Sequence, residues 1–530
     1  MFDKLRDPAH WVLTEALDWQ AHHNPGKTFA QMVDGEAVTY AEMRVRSAKV
    51  AGLLAAQGVR KGDHVVLFMR NGLEFLAAWF GLGRLGAVAV LLNTELKGAF
   101  LRHQIRDSGA RLIIADGGLI PVLAAIADDL PAVERVLSVG AAEPQTFAQI
   151  TPFSLWRDSP GWDGPLPAPQ DICAVMYTSG TTGPSKGVLM PHAHCFLYGL
   201  GAVDNLNMVP EDRYYVILPL YHANGLLMQI GGALIAGATA ILRTGFSAKA
   251  WLGDVRRSKA TLTNTLGVTA PFIFAQPETA QDSDHNLRLI MAAPNPEALR
   301  AIWQNRFGVT EVLSGFGMTE CNIPIWGRPG LNLPPDCAGP VYERYFEVEI
   351  ADPDTDRIMP HGAVGEILVR PRAPFGFMAA YHGLPEQTVE AWRNLWFHTG
   401  DAGRKDENGI VTFIDRMRDC IRRRGHNISS FEIEQAFMDF DGVAEVAAYA
   451  VPAGYTGGED EVMISVLPEE GVTLSPCALA RHGESALPRF AQPRYIEITQ
   501  SLPKTPTGKV QKVALRKRGI LPGIWDREAG

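Results

Sequence analysis

Short apolar runs alternate with stretches of helical pattern along most of this 530-residue chain, and that alternation limits the possible folds more than any other feature. Residues 63–69 read as a strand, 73–85 as a helix and 87–92 as a second strand. A helix over about 97–107 then leads to a strand at 111–115. The cycle returns between 213 and 315: strand 214–218, helix 225–236 stopped by Gly237, strand 238–242, helix 247–257, strands 261–265 and 289–292, and helix 295–307. Strands separated by helices of ten or more residues indicate βαβ units and parallel sheets, so the pattern predicts an α/β fold. After about residue 340 the texture changes to short alternating strands, such as 346–350 and 364–370, with Gly, Pro and Asp turns. These predict a small β-subdomain. A charge-rich stretch at 415–424 precedes helix 430–440, strands 443–451 and 461–467 and a final helix, a compact α+β module.

Composition narrows the function classes. The chain is 46% hydrophobic and 20% charged, with material for several cores. A net charge of −9 argues against broad nucleic-acid binding, though not against a local anion site. Six cysteines (173, 195, 321, 337, 420, 477) include no Cys-x2-Cys pair, so neither a zinc site nor a disulfide framework is indicated, and reduced thiols fit a cytoplasmic protein. His192-Ala-His194-Cys195 stands without a second ligand pair and reads as structural. The first residues lack the apolar centre of a signal peptide. The most apolar stretch, 226–242, is broken by Gln229 and three glycines, and is too short for a comfortable membrane span.

The run Tyr177-Thr-Ser-Gly-Thr-Thr-Gly-Pro-Ser-Lys-Gly-Val188 points to chemistry. Between its ends every residue is Ser, Thr, Gly, Pro or Lys, a set that offers backbone N–H groups, hydroxyls and one ammonium to a polyanion. The Gly-x4-Gly-Lys spacing of the common P-loop is missing, and such clusters also serve as linkers. Apolar strands predicted at 171–176 and 188–190 pin this loop at both ends, which favours phosphate binding.

Five further stretches are polar where a structural loop has no need to be. Residues 218–225 end a strand and open a helix, leaving Tyr221 and His222 at a strand's carboxyl end, where open α/β sheets bind ligands. Residues 314–320 repeat that logic, with Thr319 at a helix start as a phosphate donor and Glu320 as a hard oxygen ligand suited to Mg²⁺. Residues 396–403 present Asp401 in a Gly-flanked turn suited to a ribose diol. Arg416 follows in the charged stretch, and Lys509 lies just past a Thr-Gly turn near the C-terminus.

In this order, the motifs resemble those of the adenylate-forming superfamily of acyl-CoA synthetases, carrier-protein adenylation domains and firefly luciferases, from about residue 20 to 517. Residues 246–251, 275–278, 306–309 and 425–434 are most similar to the bacterial crotonobetaine/carnitine-CoA ligase group. The resemblance implies an N-terminal adenylation domain, 1–416, built of two α/β subdomains and the β-subdomain. It also implies a small mobile α+β C-terminal domain, 417–530, that carries the catalytic Lys509.

The chemistry so implied has two steps. A carboxylate attacks the α-phosphate of ATP, and a thiolate, that of coenzyme A, then displaces AMP. By this resemblance Thr178, Ser179, Gly180, Thr181, Thr182, Gly183 and Lys186 hold the β- and γ-phosphates. Glu320 binds Mg²⁺, Thr319 touches the α-phosphate, and His222 counts among the catalytic residues. Phe316, between Gly315 and Gly317, stacks on adenine beside Ala292, Ala293 and Pro294; Asp401 takes the ribose hydroxyls and Arg416 the ribose or phosphate. Lys509 bridges carboxylate and α-phosphate oxygens. Rotation at Arg418 then exchanges Lys509 for the loop at Gly425 and His426, past which the pantetheine arm runs. Arg422, Arg423 and Arg424 either face CoA phosphates or form a solvated charge run.

The acyl pocket implied lies along 222–231, 290–296 and 314–326, with Tyr221, Met228, Met318, Cys321 and Asn322 lining it. Those windows hold no Lys, Arg or Asp and a single Glu, which suits a small to medium, neutral, largely apolar carboxylic acid. The expected partners are that acid, ATP and CoA, with no nucleic acid, no integral membrane association and a homodimer left open. Transfer to a carrier-protein phosphopantetheine or an amine is the alternative outcome of the same first step.

Overall fold

The computed structural model describes residues 4–529 apart from 144, 146, 179–183, 267–268, 294, 335–336, 417–419, 425, 454–459 and 505–509. Two large sheets form the frame. In the eight-stranded one the order is Ala380–Tyr381, Lys186–Pro191, Ile172–Thr178, Val88–Leu91, His64–Phe68, Leu112–Asp116, Arg135–Val139 and Gln149–Pro152. Six of these, from Ile172–Thr178 to Gln149–Pro152, run parallel, while Lys186–Pro191 folds back antiparallel. The seven-stranded sheet has Arg213–Val216, Thr239–Leu242, Leu262–Leu266, Leu289–Ala293 and Glu311–Leu313 in parallel, with Thr28–Met32 also joining in parallel. Helices between them bury one continuous apolar core, in which Leu73–Leu85 presents almost every side chain inward. The α/β expectation is met.

The helix His192–Asn205 lies against the segment 224–236 closely enough that a Cβ on Gly199 would stand 2.6 Å from the Gly231 carbonyl carbon. Only glycine allows that approach, and it fixes the segment that follows Tyr221 and His222. The segment itself departs from the expected plain helix: Asn224–Ile230 is π-helical, and Gly231–Ala236 continues as α-helix to Gly237. The wider turns set Asn224 and Met228 together against Asn264 of the neighbouring strand.

Two other expectations are corrected. Residues 314–320 do not open a helix. Gly315–Met318 pairs antiparallel with Asn322–Trp326, and Thr319 and Glu320 sit in the hairpin turn, closed by Asn322 at φ 67°. Asp401 lies not in a turn but inside the strand Phe397–Lys405 of a five-stranded antiparallel sheet, where a bulge between Ala402 and Gly403 twists the strand without reversing it. That sheet is the β-subdomain predicted after residue 340.

The C-terminal module pairs Val443–Pro452 with Asp460–Pro468 in a four-stranded sheet flanked by Ser430–Met438. It also holds the helix Pro476–Ala486 and the strand Tyr495–Ile498, which the sequence reading did not resolve. A second apolar cluster runs from the eight-stranded sheet through Phe100 and Leu101 to Ile433 and Phe437, so the module packs on the helix Gly98–Ser108. Among the described residues no helix is long and apolar enough to cross a membrane.

Candidate active site

The polar loop is the tip of a hairpin: Thr178 pairs with Lys186 across the antiparallel strands Ile172–Thr178 and Lys186–Pro191. Ser179, Gly180, Thr181, Thr182 and Gly183 lie outside the described residues, but both ends of the loop are fixed. Thr178 Oγ1 donates to Glu320 Oε1 at 3.1 Å. Tyr381, on a short strand beside Lys186–Pro191, donates its hydroxyl to the same oxygen, also at 3.1 Å. The Lys186 ammonium stands 4.8 Å above the Tyr381 ring. Three remote segments thus meet at Glu320, which is 4% exposed. Glu320 Oε2 accepts no hydrogen bond among the described residues. Burial and the Glu320 charge raise the Tyr381 phenol pKa, so that hydroxyl remains a donor.

The Glu320 turn is held from behind through its backbone. Tyr198 Oη donates to the Met318 carbonyl at 2.6 Å, and His194 Nε2 lies 2.9 Å from the Thr319 carbonyl. Asn322 Nδ2 donates to the His194 carbonyl at 3.0 Å. Burial lowers the His194 pKa to about 4, so its imidazole is neutral. A Cβ on Gly317 would overlap the Asn322 carbonyl, so the hairpin closes only with glycine there. Cys321 and Asn322 are wholly buried in this support, as is Met228 in the core, and none of the three forms a solvent-facing wall. Met318 and Thr319 are half-buried. The Phe316 ring stacks on Phe413 at 6.0 Å, so that one of its faces is already covered.

Asp401 stands directly opposite Arg416 in the strand register, which brings two expected site residues side by side. Asp401 is buried, and its backbone N–H donates to Thr399 Oγ1 at 3.1 Å. Below it lies a second buried glutamate, Glu366, 5% exposed. It accepts from the Gly400 N–H at 2.8 Å, and lies 2.9 Å from His398 Nδ1 and 3.3 Å from the Arg393 guanidinium. Ala292 and Ala293 end the strand Leu289–Ala293, while Pro294 lies outside the described residues.

Tyr221 and His222 follow strand Arg213–Val216, with their rings 4.7 Å apart and edge to face. His222 is exposed on its strand-end turn, and the protein groups packed around it lower its pKa to about 4. Tyr221 is held beside Thr94 and Glu95. The C-terminal module reaches the site at two places. Glu432 Oε1 accepts the N–H of Ser185, in the 177–188 run, at 3.0 Å. Arg424 and Arg489 lie near enough to Glu95 to oppose the rise that burial imposes on its carboxyl. For Arg416 and His426 the structure describes the backbone alone; Arg418, Gly425 and Lys509 lie outside it.

Sequence reasoning missed Tyr381, Glu366 and the role of His194. No motif links these residues to Glu320 or Gly400, because each contact joins segments far apart in the chain.

The AMP-binding enzyme family model matches residues 17–382, and that of the AMP-binding enzyme C-terminal domain matches 432–509. Crotonobetaine/carnitine--CoA ligase of Salmonella typhimurium is 28% identical over 484 residues, covering 90% of this chain and 93% of that protein. Among solved structures, ATP-bound MatB from Rhodopseudomonas palustris superposes with a TM-score of 0.71 at 26% identity, over 96% of this chain and 99% of that one. The anthranilate CoA ligase AuaEII, in complex with anthranoyl-AMP, gives the same score and identity over 96% and 98%. With a family match spanning most of its length, this chain belongs to the AMP-binding enzymes.

Proposed function

We propose that the protein is an ATP-dependent acid–CoA ligase. The observation that carries the reading is the meeting of Thr178, Tyr381 and Glu320, which ties one end of the 178–186 loop directly to a buried carboxylate, and the other end through the Tyr381 ring beneath Lys186, with one carboxylate oxygen left open. In the first step a substrate carboxylate oxygen bonds to the α-phosphorus of ATP, and the bond to pyrophosphate breaks. In the second, the CoA thiolate bonds to the acyl carbon and AMP leaves with the electron pair of the broken acyl–oxygen bond.

Each residue serves these steps by charge and position. Thr178 and Lys186 orient the β- and γ-phosphates together with 179–183, and Thr319 donates to the α-phosphate. Asp401 and Arg416, neighbours in register, take the ribose side, and Phe316 offers adenine the face that Phe413 leaves. Lys509 neutralises the approaching carboxylate. Among the described residues there is no group of three His, Cys, Asp or Glu side chains that would cage a metal by itself. A single hard carboxylate such as Glu320, completed by substrate phosphates, fits Mg²⁺, which would neutralise phosphoryl charge there. Domain boundaries at 416/417 with a hinge at Arg418, a cytoplasmic location and a neutral acyl group complete the reading.

The test is ATP-dependent pyrophosphate release over a panel of carboxylic acids, with and without CoA. Acceleration by CoA with a thioester product is expected for at least one acid. Release indifferent to CoA points to a carrier-protein or amine acceptor, and silence over a broad panel refutes the ligase.

A further inference from the structure

One chain of polar side chains in the seven-stranded sheet ends in an amide group that has no partner among the described residues. Asn264, on the strand Leu262–Leu266, is 0% exposed. Its Oδ1 accepts from Tyr214 Oη at 2.7 Å; its Nδ2 donates to Asn224 Oδ1 at 2.6 Å and lies 3.4 Å from Met228 Sδ. Burial raises the Tyr214 phenol pKa, so this hydroxyl is a donor. With Tyr214 donating to Asn264 Oδ1 and Asn264 Nδ2 donating to Asn224 Oδ1, Asn224 has its oxygen inward and its NH₂ left over. Asn224 is half-buried, and its Nδ2 makes no hydrogen bond among the described residues. Apolar side chains of similar size would fill this space at no polar cost, whereas a buried polar chain is stabilising only when every member is satisfied. The Asn224 donor faces outward from a fully bonded chain, so a substrate oxygen that displaces water there would meet a donor already held in place.

Its place says which. Asn224 begins the π-helical segment, two residues after His222, at the carboxyl end of strand Arg213–Val216. Asn264 pairs with Met291, and Thr265 with Ala292 of the proposed adenine wall. The Met291 methyl reaches toward Gly315, where a Cβ would lie 3.4 Å from it. Asn224 thus belongs to the first of the windows that would form the acyl pocket, 222–231, and its partner Asn264 lies beside the second, 290–296, which touches the third, 314–326.

We propose that Asn224 is a specificity-determining residue of the acyl pocket, and that the acid activated here carries an uncharged oxygen acceptor, an ether, carbonyl or hydroxyl oxygen, beyond its carboxylate. Tyr214 and Asn264 are positioning residues that hold the Asn224 NH₂ outward. The inference rests on the ligase reading and adds the substrate class. A second carboxylate would find no countercharge in these windows, and a cationic group would meet the amide's own positive end.

The test uses the full-length enzyme and pyrophosphate release with matched pairs of acids. Within each pair an ether or ketone oxygen is replaced by methylene, and the oxygen is stepped along the chain from pair to pair. At one position the oxygen acid should lead in kcat/KM by about tenfold to a hundredfold. Asn224→Leu should bring that ratio to about one. Tyr214→Phe should lower it partway, chiefly through KM, because it loosens the relay without removing the donor. Asn224→Gln, which keeps an amide, should restore part of the preference over the Leu variant. A methylene acid preferred at every position overturns the proposal while leaving the ligase intact, as does an unchanged ratio in Asn224→Leu. No release from either member of any pair, nor from the broader acid panel, overturns the ligase and this inference together.

Discussion

Two glutamates of nearly equal burial, Glu320 in the hairpin turn and Glu366 beside Gly400 and Asp401, are set apart by their partners. Glu366 is surrounded by a backbone N–H, an imidazole and a guanidinium, donors that engage both of its oxygens. Glu320 receives two neutral hydroxyls, both on Oε1. A buried carboxylate saturated with strong donors is a fastening, and here it fixes the Gly400 backbone next to Asp401. One with an unused oxygen keeps the capacity to bind a cation that arrives with the substrate. Residue type and burial alone do not separate the two roles; the count and charge of the donors does.

The largest effects should come from exchanging charge for shape at these positions. Glu320→Gln should reduce pyrophosphate release by roughly 10²–10³-fold and raise the Mg²⁺ needed for half-maximal rate, with little change in Tm. Glu366→Gln turns the carboxylate that holds the Gly400 N–H and His398 into a neutral amide while Arg393 keeps Asp356, and should cost about 2 kcal/mol of stability in denaturant titration. Its ATP affinity should also fall as Gly400 and Asp401 lose their support. A Glu366→Gln protein as stable as the parent, or a Glu320→Gln protein that unfolds more readily while retaining its rate, would break the comparison.

The pH dependence tests what stands behind the Glu320 turn. Burial lowers the pKa of both His192 and His194 to about 4, against about 6.5 in the unfolded chain. The folded protein binds fewer protons than the unfolded chain between these values, so stability is full above pH 6.5 and declines as pH falls toward 4. At pH 5 each histidine should withdraw about 2 kcal/mol. Urea titrations at pH 7 and pH 5 of the parent and of a His194→Asn variant isolate the His194 share, and an equal midpoint shift in the two proteins would show that this imidazole is not held neutral.

The surroundings of the two glutamates also differ in how legible they were in the sequence. The strands that flank the 179–185 loop and the alternation around them were readable because pattern and structure are local there. Asp401 and Arg416 were singled out separately, and only the register of two strands shows that they are neighbours. The 314–320 run was read as strand, turn and helix, since its small residues carry little apolar periodicity. Its hairpin is decided by Tyr198 and His194, which hold its carbonyls from another part of the chain. The π-helical turn at Asn224–Ile230 was equally invisible, because the contacts with Asn264 that accompany it are tertiary. Tyr381 belongs to a two-residue strand that carries no sequence signal of its own.

That tyrosine gives the smallest and most discriminating prediction. Tyr381→Phe removes one hydroxyl from Glu320 Oε1 and keeps the ring beneath the Lys186 ammonium, so it separates the hydrogen bond from the cation–π contact. Loss of one such bond is worth about 1 kcal/mol, or roughly a fivefold fall in kcat/KM for pyrophosphate release. Thr178→Val removes the other donor to the same oxygen, and should cost a similar amount. If both hydroxyls act by fixing the direction of Glu320, the double variant should lose more than the product of the single effects, since either donor alone still restrains the carboxylate. Simple multiplication of the two losses would mean that each hydroxyl meets the substrate on its own account. Glu320 would then stand beside the phosphates without being aimed by the loop.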